Sequence, residues 1–348
     1  MRHAIITEDL DQVLEAALDW TAFDDACVLV TGANGFLPAY MAETLLRRNE
    51  RLGRSATRVI GVVRNLERAR ARFAQYDGRE DLRFIVQDLG VPFSLSEPVD
   101  YIVHAASQAS PKYFGADPVG TLLPNIVGTQ GLLDQAARRP VRAFLYFSSG
   151  EVYGQVNDTQ VPTRENDYGY LDPAELRSCY AESKRLAETM CVCWHRQHGV
   201  PARIVRPFHT YGPGMRLDDG RVFADFVADV IHGRDIVMRS DGRARRAFCY
   251  LADATQAFFS VLLKGVPGEA YNVGNEEGEL SIMELAERLA ALFPEKRLRV
   301  IRAGSDPEGY LRSAISRSCP DTSKLRALGW RPATGIDEGF SRTIRSFG

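Results

Sequence analysis

Long apolar runs, a cysteine framework and an excess of positive charge are all missing from this 348-residue chain. Apolar runs such as residues 257–263 are far shorter than the roughly 20 residues that a helix needs to cross a bilayer. With a formal net charge of −2, the chain has no positive excess to meet a nucleic-acid backbone or an anionic lipid surface. We therefore expect no nucleic-acid partner and no membrane association.

Six cysteines are scattered along the chain without a paired framework, which is typical of a reducing compartment. Three acidic residues within the first eleven positions stand where a signal peptide needs a basic and then an apolar region, so we expect a cytoplasmic protein. Cys191, Cys193, His195 and His198 share one predicted helix, but the two cysteines point to different faces and no second ligand pair follows. No metal site is predicted.

A glycine-rich turn links a short apolar run to a helix. Residues 27–30 predict a buried strand, and an apolar-periodic helix follows at about residues 39–48. Between them stands Thr31-Gly-Ala-Asn-Gly-Phe-Leu-Pro38. Its two glycines let the backbone approach a pyrophosphate, and the helix N-terminus offers free N–H groups to the same ligand. The cofactor contacts predicted here are Gly32, Asn34, Gly35, Phe36 and Leu37.

Further strand-like runs lie at residues 58–63, 82–86, 100–104 and 144–147, and helical patterns separate them. This alternation predicts an α/β fold, a Rossmann-type doubly wound parallel sheet whose ligand lies at the carboxyl ends of the strands. Arg64 stands where an acid would bond the adenosine ribose, which favours NADP slightly and leaves NAD open. The contacts predicted at these strand ends are Arg64, Asn65, Asp88, Leu89, Ala105, Ala106 and Ser107.

A hydroxyl residue, a tyrosine and a lysine form the predicted reaction centre. Ser149 and Glu151 follow the run at residues 144–147, while Tyr180 and Lys184 share one face of a later helix. A free phenol has a pKa of about 10, and a nearby lysine charge favours its ionised form. We expect Tyr180 to take a proton from an alcohol that Ser149 holds. A carboxylate two residues after Ser149 indicates further acid–base work by Glu151.

Together these segments resemble an extended short-chain dehydrogenase/reductase of the nucleotide-sugar epimerase, dehydratase and decarboxylase family, over about residues 26–343. Arg64 is similar to the arginine of GDP-mannose 4,6-dehydratases, which use NADP. The motifs that most resemble UDP-glucuronate decarboxylases are His104-Ala-Ala-Ser-Gln-Ala-Ser-Pro111, Arg177-Ser-Cys-Tyr-Ala-Glu-Ser-Lys184 and Phe208-His-Thr-Tyr-Gly-Pro213.

The resemblance implies tightly held NAD(P), a nucleotide-diphosphate sugar as substrate and a homodimer. An amphipathic pattern at residues 7–19 predicts a helix within an N-terminal extension, residues 1–25. The resemblance also implies an NAD(P)-binding Rossmann domain at 26–205 and a smaller C-terminal lobe. That lobe, residues 206–348, would mainly bind the nucleotide sugar, with some segments returning to the Rossmann domain. Pro207, Tyr180 and Lys184 would also touch the cofactor. The implied substrate contacts are Ser110, Ser149, Glu151, His209, Arg221, Val222, Arg246 and Arg317.

Two positions depart from the family pattern. The family's Thr-Ser-Glu or Thr-Asp-Glu triplet reads Ser149-Gly150-Glu151 here, and the arginine that decarboxylases usually carry after Tyr-Gly-Pro is Gly214. We expect an enzyme that oxidises the sugar at C4, acts at C5 as a 4,6-dehydratase or decarboxylase, and returns the hydride. The alternatives are a 4-epimerase, an NADPH-dependent carbonyl reductase and a non-catalytic dinucleotide sensor. The sequence leaves the nucleotide, the sugar and the product open.

Overall fold

A parallel seven-stranded sheet carries the glycine-rich turn and the predicted reaction centre. The computed structural model describes residues 3–94, 97–303 and 315–348. The strands are β1 (Ala26–Thr31), β2 (Thr57–Val63), β3 (Leu82–Val86), β4 (Tyr101–His104), β5 (Ala143–Phe147), β6 (Ala202–Pro207), β7 (His209–Tyr211), β8 (Ile236–Met238), β9 (Arg245–Tyr250), β10 (Ala270–Val273), β11 (Glu279–Ser281), β12 (Val300–Arg302) and β13 (Arg317–Ser318).

Helices pack on both faces of this sheet. Short helical turns connect several elements, among them a π-helical turn at Pro124–Gly128 and a 3-10 turn at Gly150–Tyr153. The α-helices are α1 (Ala4–Leu14), α2 (Phe36–Leu52), α3 (Leu66–Arg72), α4 (Lys112–Ala116), α5 (Pro118–Leu123), α6 (Thr129–Arg138), α7 (Ser178–His198), α8 (Val222–Ile231), α9 (Leu251–Lys264), α10 (Ile282–Leu292), α11 (Ser323–Arg326) and α12 (Ile336–Arg345).

The strand order across the large sheet is β3-β2-β1-β4-β5-β6-β10, and every neighbouring pair is parallel. All residues of β1, β4 and β5 are buried, as expected for a sheet that helices cover on both sides. The chain turns in opposite directions after β1 and after β4, which opens a crevice at their carboxyl ends. The predicted α/β doubly wound fold is confirmed.

The remaining strands form smaller sheets, in which β9 pairs with β7, β11 and β13, and β8 pairs with β12. This part holds most of residues 206–348, but β10 joins the large sheet and α9 packs against β5 and β6. A division at about residue 205 therefore stays a proposal. Among the described residues, no helix has the length and apolarity of a membrane span, and no cluster of His, Cys, Asp or Glu is placed to hold a metal ion.

The N-terminal helix is shorter than the 7–19 pattern predicts, because α1 ends at Leu14 and Trp20–Phe23 forms a separate 3-10 turn on the core. α1 packs against α2 and α9, and a buried polar contact also holds it in place. The fully buried Asp9 accepts hydrogen bonds from the hydroxyls of Tyr40 at 3.0 Å and Tyr250 at 2.7 Å, and from Arg342 at 2.6 Å. A single carboxylate thus ties α1, α2, β9 and α12 together.

Replacing Asp9 with Ala should lower the free energy of unfolding by about 3 kcal/mol, because it leaves a guanidinium and two buried hydroxyls without their acceptor. Urea denaturation measures the loss. Glu8→Ala is the matched control, since Glu8 contacts the same Arg342 at 3.1 Å from an exposed position. Equal stability losses in the two variants would contradict the role given to the buried carboxylate.

Candidate active site

A cavity of about 920 Å³ runs along the carboxyl ends of the large sheet and reaches the smaller sheet around β9. Most of the predicted cofactor and substrate residues meet there. The predicted residues that line it are Gly32, Asn34, Gly35, Phe36, Leu37, Arg64, Asn65, Asp88, Leu89, Ala105, Ala106, Ser107, Ser110, Ser149, Glu151, Tyr180, Lys184, Pro207, His209, Arg221, Val222 and Arg246.

Arg317 is the predicted residue that does not line the cavity. Its guanidinium donates to both carboxylate oxygens of Glu279, at 2.7 and 2.8 Å, and to the Val161 carbonyl at 3.2 Å. β11 and β13 lie on either side of β9, and the Arg317 side chain reaches Glu279 across that strand. In this structure Arg317 therefore serves an ion pair, while its chain neighbour Ser318 lines the cavity.

The glycine-rich turn fits a dinucleotide cofactor. Gly32 has a φ of +63°, and a Cβ there would lie 2.9 Å from the Ala106 Cα, so no side chain can stand between the two strand ends. Gly35 begins α2 without a side-chain cap, which leaves the first N–H groups of that helix available to a phosphate. The Ser107 hydroxyl is buried without a hydrogen-bond partner in the described part of the chain.

Two arginines stand at the end of this cradle that lies beside β2 and α3. Arg64 follows β2 directly, and Arg68 lies in α3, whose N-terminus Asn65 caps by accepting from the Arg68 N–H at 2.8 Å. Both arginine side chains are exposed and line the cavity. Within the described ranges, neither guanidinium makes a hydrogen bond or ion pair. Both remain available to an anionic group.

Tyr180 lies buried at the start of α7, with its ring stacked on Phe114 at 4.9 Å between centroids. Burial raises the pKa of Tyr180 to about 12, although a hydrogen bond with Ser149 opposes the shift. Lys184 lies 5.8 Å from the ring centroid of Tyr180. The lysine does not offset the effect of burial, so the phenol of Tyr180 is neutral at neutral pH.

Lys184 is itself almost completely buried. Its Nζ donates to the Phe147 carbonyl at 2.6 Å and lies 4.9 Å from the Tyr146 ring centroid. Burial lowers the pKa of Lys184 to about 7, and the negative charge of Glu188 opposes the shift. The ammonium group is thus poised between its two protonation states near neutral pH.

Glu151 has a partner that the sequence analysis did not single out. The 3-10 turn after Ser149 presents the carboxylate, which accepts from Arg177 Nη2 at 3.3 Å. The other terminal nitrogen of Arg177, Nη1, is buried without a hydrogen-bond partner among the described residues, and the guanidinium carbon lies 5.6 Å from the Phe114 ring centroid. The side chains of Glu151 and Arg177 both line the cavity. The position of Arg177, three residues before Tyr180, was the available sequence signal.

Both departures from the family pattern have a structural reason. A Cβ at Gly150 would lie 3.2 Å from three atoms of the Phe208 ring, so that ring occupies the space of the missing side chain. Gly214 has a φ of +80°, which disfavours any side chain, and a Cβ there would lie 3.5 Å from Arg72 Nη2. Arg72 is in turn paired with the buried Glu43 at 2.6 Å.

The substrate side of the cavity is mostly held by internal contacts. Burial lowers the pKa of His209 well below its usual value, and its Nδ1 has no partner in the described residues. Arg221 pairs with Asp219, whose carbonyl accepts from Ser110. Arg246 donates to the carbonyls of residues 245, 315 and 316. His104 is buried and joins Thr31 to Thr129, a structural role.

The sequence profile described as the NAD dependent epimerase/dehydratase family matches residues 28–274. This chain belongs to that family. UDP-glucuronic acid decarboxylase 6 of Arabidopsis thaliana is 34% identical over 316 residues, which cover 90% of this chain and 86% of the relative. The family, the fold class and the class of enzyme expected from the sequence are confirmed.

Solved structures agree with this assignment. A dTDP-glucose 4,6-dehydratase of Streptomyces venezuelae, solved with NAD bound, is 26% identical and has a TM-score of 0.76, covering 92% of this chain and 96% of its own. A UDP-glucose 4-epimerase of Thermotoga maritima, solved with UDP-glucose, has a TM-score of 0.76 at 21% identity, covering 92% and 98%. The latter likeness concerns the fold.

Restoring a side chain at residue 150 should disturb the site. Gly150→Ser should lower the free energy of unfolding by about 1–3 kcal/mol, because the new Cβ overpacks against the Phe208 ring. Urea denaturation measures this loss, and adding Phe208→Leu should recover much of it. Gly335→Ser is the control, because a Cβ at Gly335 meets nothing within 4 Å and serine suits its N-cap position. Unchanged stability in Gly150→Ser would contradict this account.

Proposed function

We propose that this enzyme decarboxylates a nucleotide-linked uronic acid: it oxidises the sugar at C4, releases the C6 carboxylate as carbon dioxide, and returns the hydride to C4. The observation that carries the proposal is the Glu151–Arg177 pair, which lines the same cavity as Ser149, Tyr180 and Lys184. The 34% identity to a UDP-glucuronic acid decarboxylase supports the same reaction.

The first half of the reaction needs a base and a firm hold on the C4 oxygen. Bound NAD(P)⁺ would supply the hydride acceptor and a positive charge that favours the ionised phenol. Tyr180 takes the proton of the C4 hydroxyl, and Ser149 holds that oxygen through a hydrogen bond. Lys184 adds a second positive charge close to the Tyr180 ring. Burial of both groups keeps these interactions out of water, where they would be weaker.

The second half depends on the C6 carboxylate. A ketone at C4 weakens the bond between C5 and a carboxylate, because the electrons of the broken bond can move into the carbonyl. Arg177 Nη1 is a buried donor without a partner in the described chain, so it offers a contact to that carboxylate. This guanidinium takes the part that the arginine missing at Gly214 would play. Glu151 then serves as the acid that returns a proton to C5.

A 4,6-dehydratase is the second candidate, and one observation favours it. The Glu151 side chain is 35% exposed, so its carboxylate can also reach a C5 proton and act as a base. The dTDP-glucose 4,6-dehydratase at 26% identity points the same way. Decarboxylation stands first because a dehydratase substrate without a carboxylate leaves Arg177 Nη1 unsatisfied. A 4-epimerase needs neither Glu151 nor Arg177.

The Glu151–Arg177 pair gives the main test of the proposed decarboxylation. With UDP-glucuronate, the wild-type enzyme should release carbon dioxide without net reduction of NAD(P)⁺. Glu151→Gln should slow steady-state formation of the decarboxylated nucleotide sugar by about 100-fold or more, because a neutral amide cannot return a proton to C5. A single-turnover absorbance measurement should still detect C4 oxidation in this variant.

Two further variants sharpen the result. Glu182→Gln is the control, since Glu182 also lies on α7 but pairs with Arg185 outside the cavity. Arg177→Gln should raise KM for UDP-glucuronate by about tenfold while leaving the inhibition constant of UDP-glucose unchanged. Full product formation by Glu151→Gln would sink the proposed role at C5, and stoichiometric NADPH consumption would indicate a carbonyl reductase.

NADP is the cofactor that we propose within this NAD-dependent family. Arg64 and Arg68 line one end of the cavity, and neither forms an ion pair in the described chain, although Asp117 lies close enough to Arg64 to interact with its charge. Two free guanidinium groups suit a ribose 2′-phosphate.

Arg64→Ala should weaken NADP⁺ binding by about tenfold and leave NAD⁺ binding nearly unchanged, because only the 2′-phosphate loses a charged contact. Isothermal titration of the stripped enzyme with each cofactor measures both constants. Arg70→Ala is the control, because Arg70 lies nearby on α3, the helix that follows Arg64, but outside the cavity lining. An equal loss for both cofactors would contradict the preference.

A homodimer is also part of the proposal. Leu186 and Val192 lie on α7 and are 46% and 37% exposed, which leaves apolar surface on the helix that carries Tyr180 and Lys184. Association of two copies through α7 would cover it and would hold the catalytic helix in place.

A further inference from the structure

A buried ion pair lies directly beside the catalytic lysine. Glu188 follows Lys184 by one turn of α7, and its carboxylate binds Arg206, which lies on β6. Arg206 Nε and Nη2 donate to the two carboxylate oxygens at 2.9 and 2.6 Å. Arg206 is 2% exposed and Glu188 9%, so water screens this pair very little.

Other contacts join the pair to the reaction centre. The Ser148 hydroxyl donates to Glu188 Oε1, and Ser148 stands between Ser149 and Phe147, whose carbonyl accepts from Lys184 Nζ at 2.6 Å. Arg206 Nη1 also donates to the Tyr153 hydroxyl at 2.8 Å. The carboxylate therefore fixes the strand end that carries Ser149 and the helix that carries Lys184.

Few other charges act on Lys184. On α7 its titratable neighbours are Tyr180, Glu188 and Cys191, and burial raises the pKa of both the Tyr180 phenol and the Cys191 thiol. Burial also raises the pKa of Tyr146 on β5, and it lowers the pKa of His104 on β4 to about 3. All four of these neighbours are neutral near pH 7. In the described chain, the charged groups at this point are Lys184, Glu188 and Arg206.

One carboxylate thus stands near two buried cations. Its negative charge opposes the loss of the Lys184 proton, while its two hydrogen bonds to Arg206 commit much of that charge elsewhere. We propose that Glu188 is a positioning residue that keeps Lys184 protonated during the reaction, and that Arg206 limits this effect by sharing the carboxylate. The inference rests on the proposed function for its catalytic consequence, but not for the charge balance itself.

The two partners should therefore shift the titration of Lys184 in opposite directions. Glu188→Gln removes the negative charge and should lower the midpoint by about one unit or more, whereas Arg206→Met frees the carboxylate and should raise it by a similar amount. The chain has five lysines, so the Cε signals of carbon-13-labelled lysine can be followed by NMR from pH 5 to about 11. Lys184→Met assigns the relevant signal.

A double variant covers the case in which a single change prevents folding. Glu188→Gln with Arg206→Met removes both charges and leaves no unpaired ion in the core, and its Lys184 midpoint should lie below that of the wild type. Midpoints that move in the same direction in both single variants, or a double variant with an unchanged midpoint, would overturn the proposal.

Activity gives the second readout. If Lys184 must be charged, kcat should fall as pH rises through its midpoint. This fall in kcat should occur at lower pH in Glu188→Gln and at higher pH in Arg206→Met, with KM little changed. A merely structural ion pair would lower the amount of folded enzyme in both variants without changing the pH at which kcat falls. Failure of the proposed decarboxylation would leave the NMR result unaffected, so the two failures are distinguishable.

Discussion

Parallel pairing of β1 with both β2 and β4 is the constraint on which the rest of the site depends. It brings the residues after each strand to one edge, where the Gly32 backbone lies too close to Ala106 to admit a side chain. Thr31 reinforces this contact, because its hydroxyl accepts from the N–H groups of residues 105 and 106 at 3.1 Å. The cofactor cradle is therefore a consequence of the sheet order.

Burial then determines the chemistry. Water is kept from Tyr180 and Lys184, which makes the charged form of each more costly. Burial therefore lowers the pKa of Lys184 to about 7 and raises the pKa of Tyr180 to about 12. A site of this kind is inactive as a base until further positive charge arrives. In the proposed mechanism, bound oxidised cofactor would supply that charge, which suits an enzyme that returns its hydride in each cycle.

Local patterns predicted much of this site. The glycine-rich turn and the Tyr180–Lys184 spacing each lie within one strand–helix unit, so sequence distance reports spatial distance there. Contacts between distant segments were not predictable in this way. The Glu151–Arg177 and Glu188–Arg206 pairs depend on how α7 packs against β5 and β6. The ion pair of Arg317 with Glu279 was not predictable either, because the sequence does not show that β11 places Glu279 within reach of Arg317.

The most direct test of the central claim follows a deuterium label at C4 of UDP-glucuronate through a complete reaction in ordinary water. We predict that the nucleotide pentose product retains deuterium at C4 and gains a solvent hydrogen at C5, because the same bound cofactor takes and returns the hydride. Mass spectrometry and proton NMR of the product read both positions. Loss of the C4 deuterium to water, or a product that keeps its carboxylate, would contradict the account.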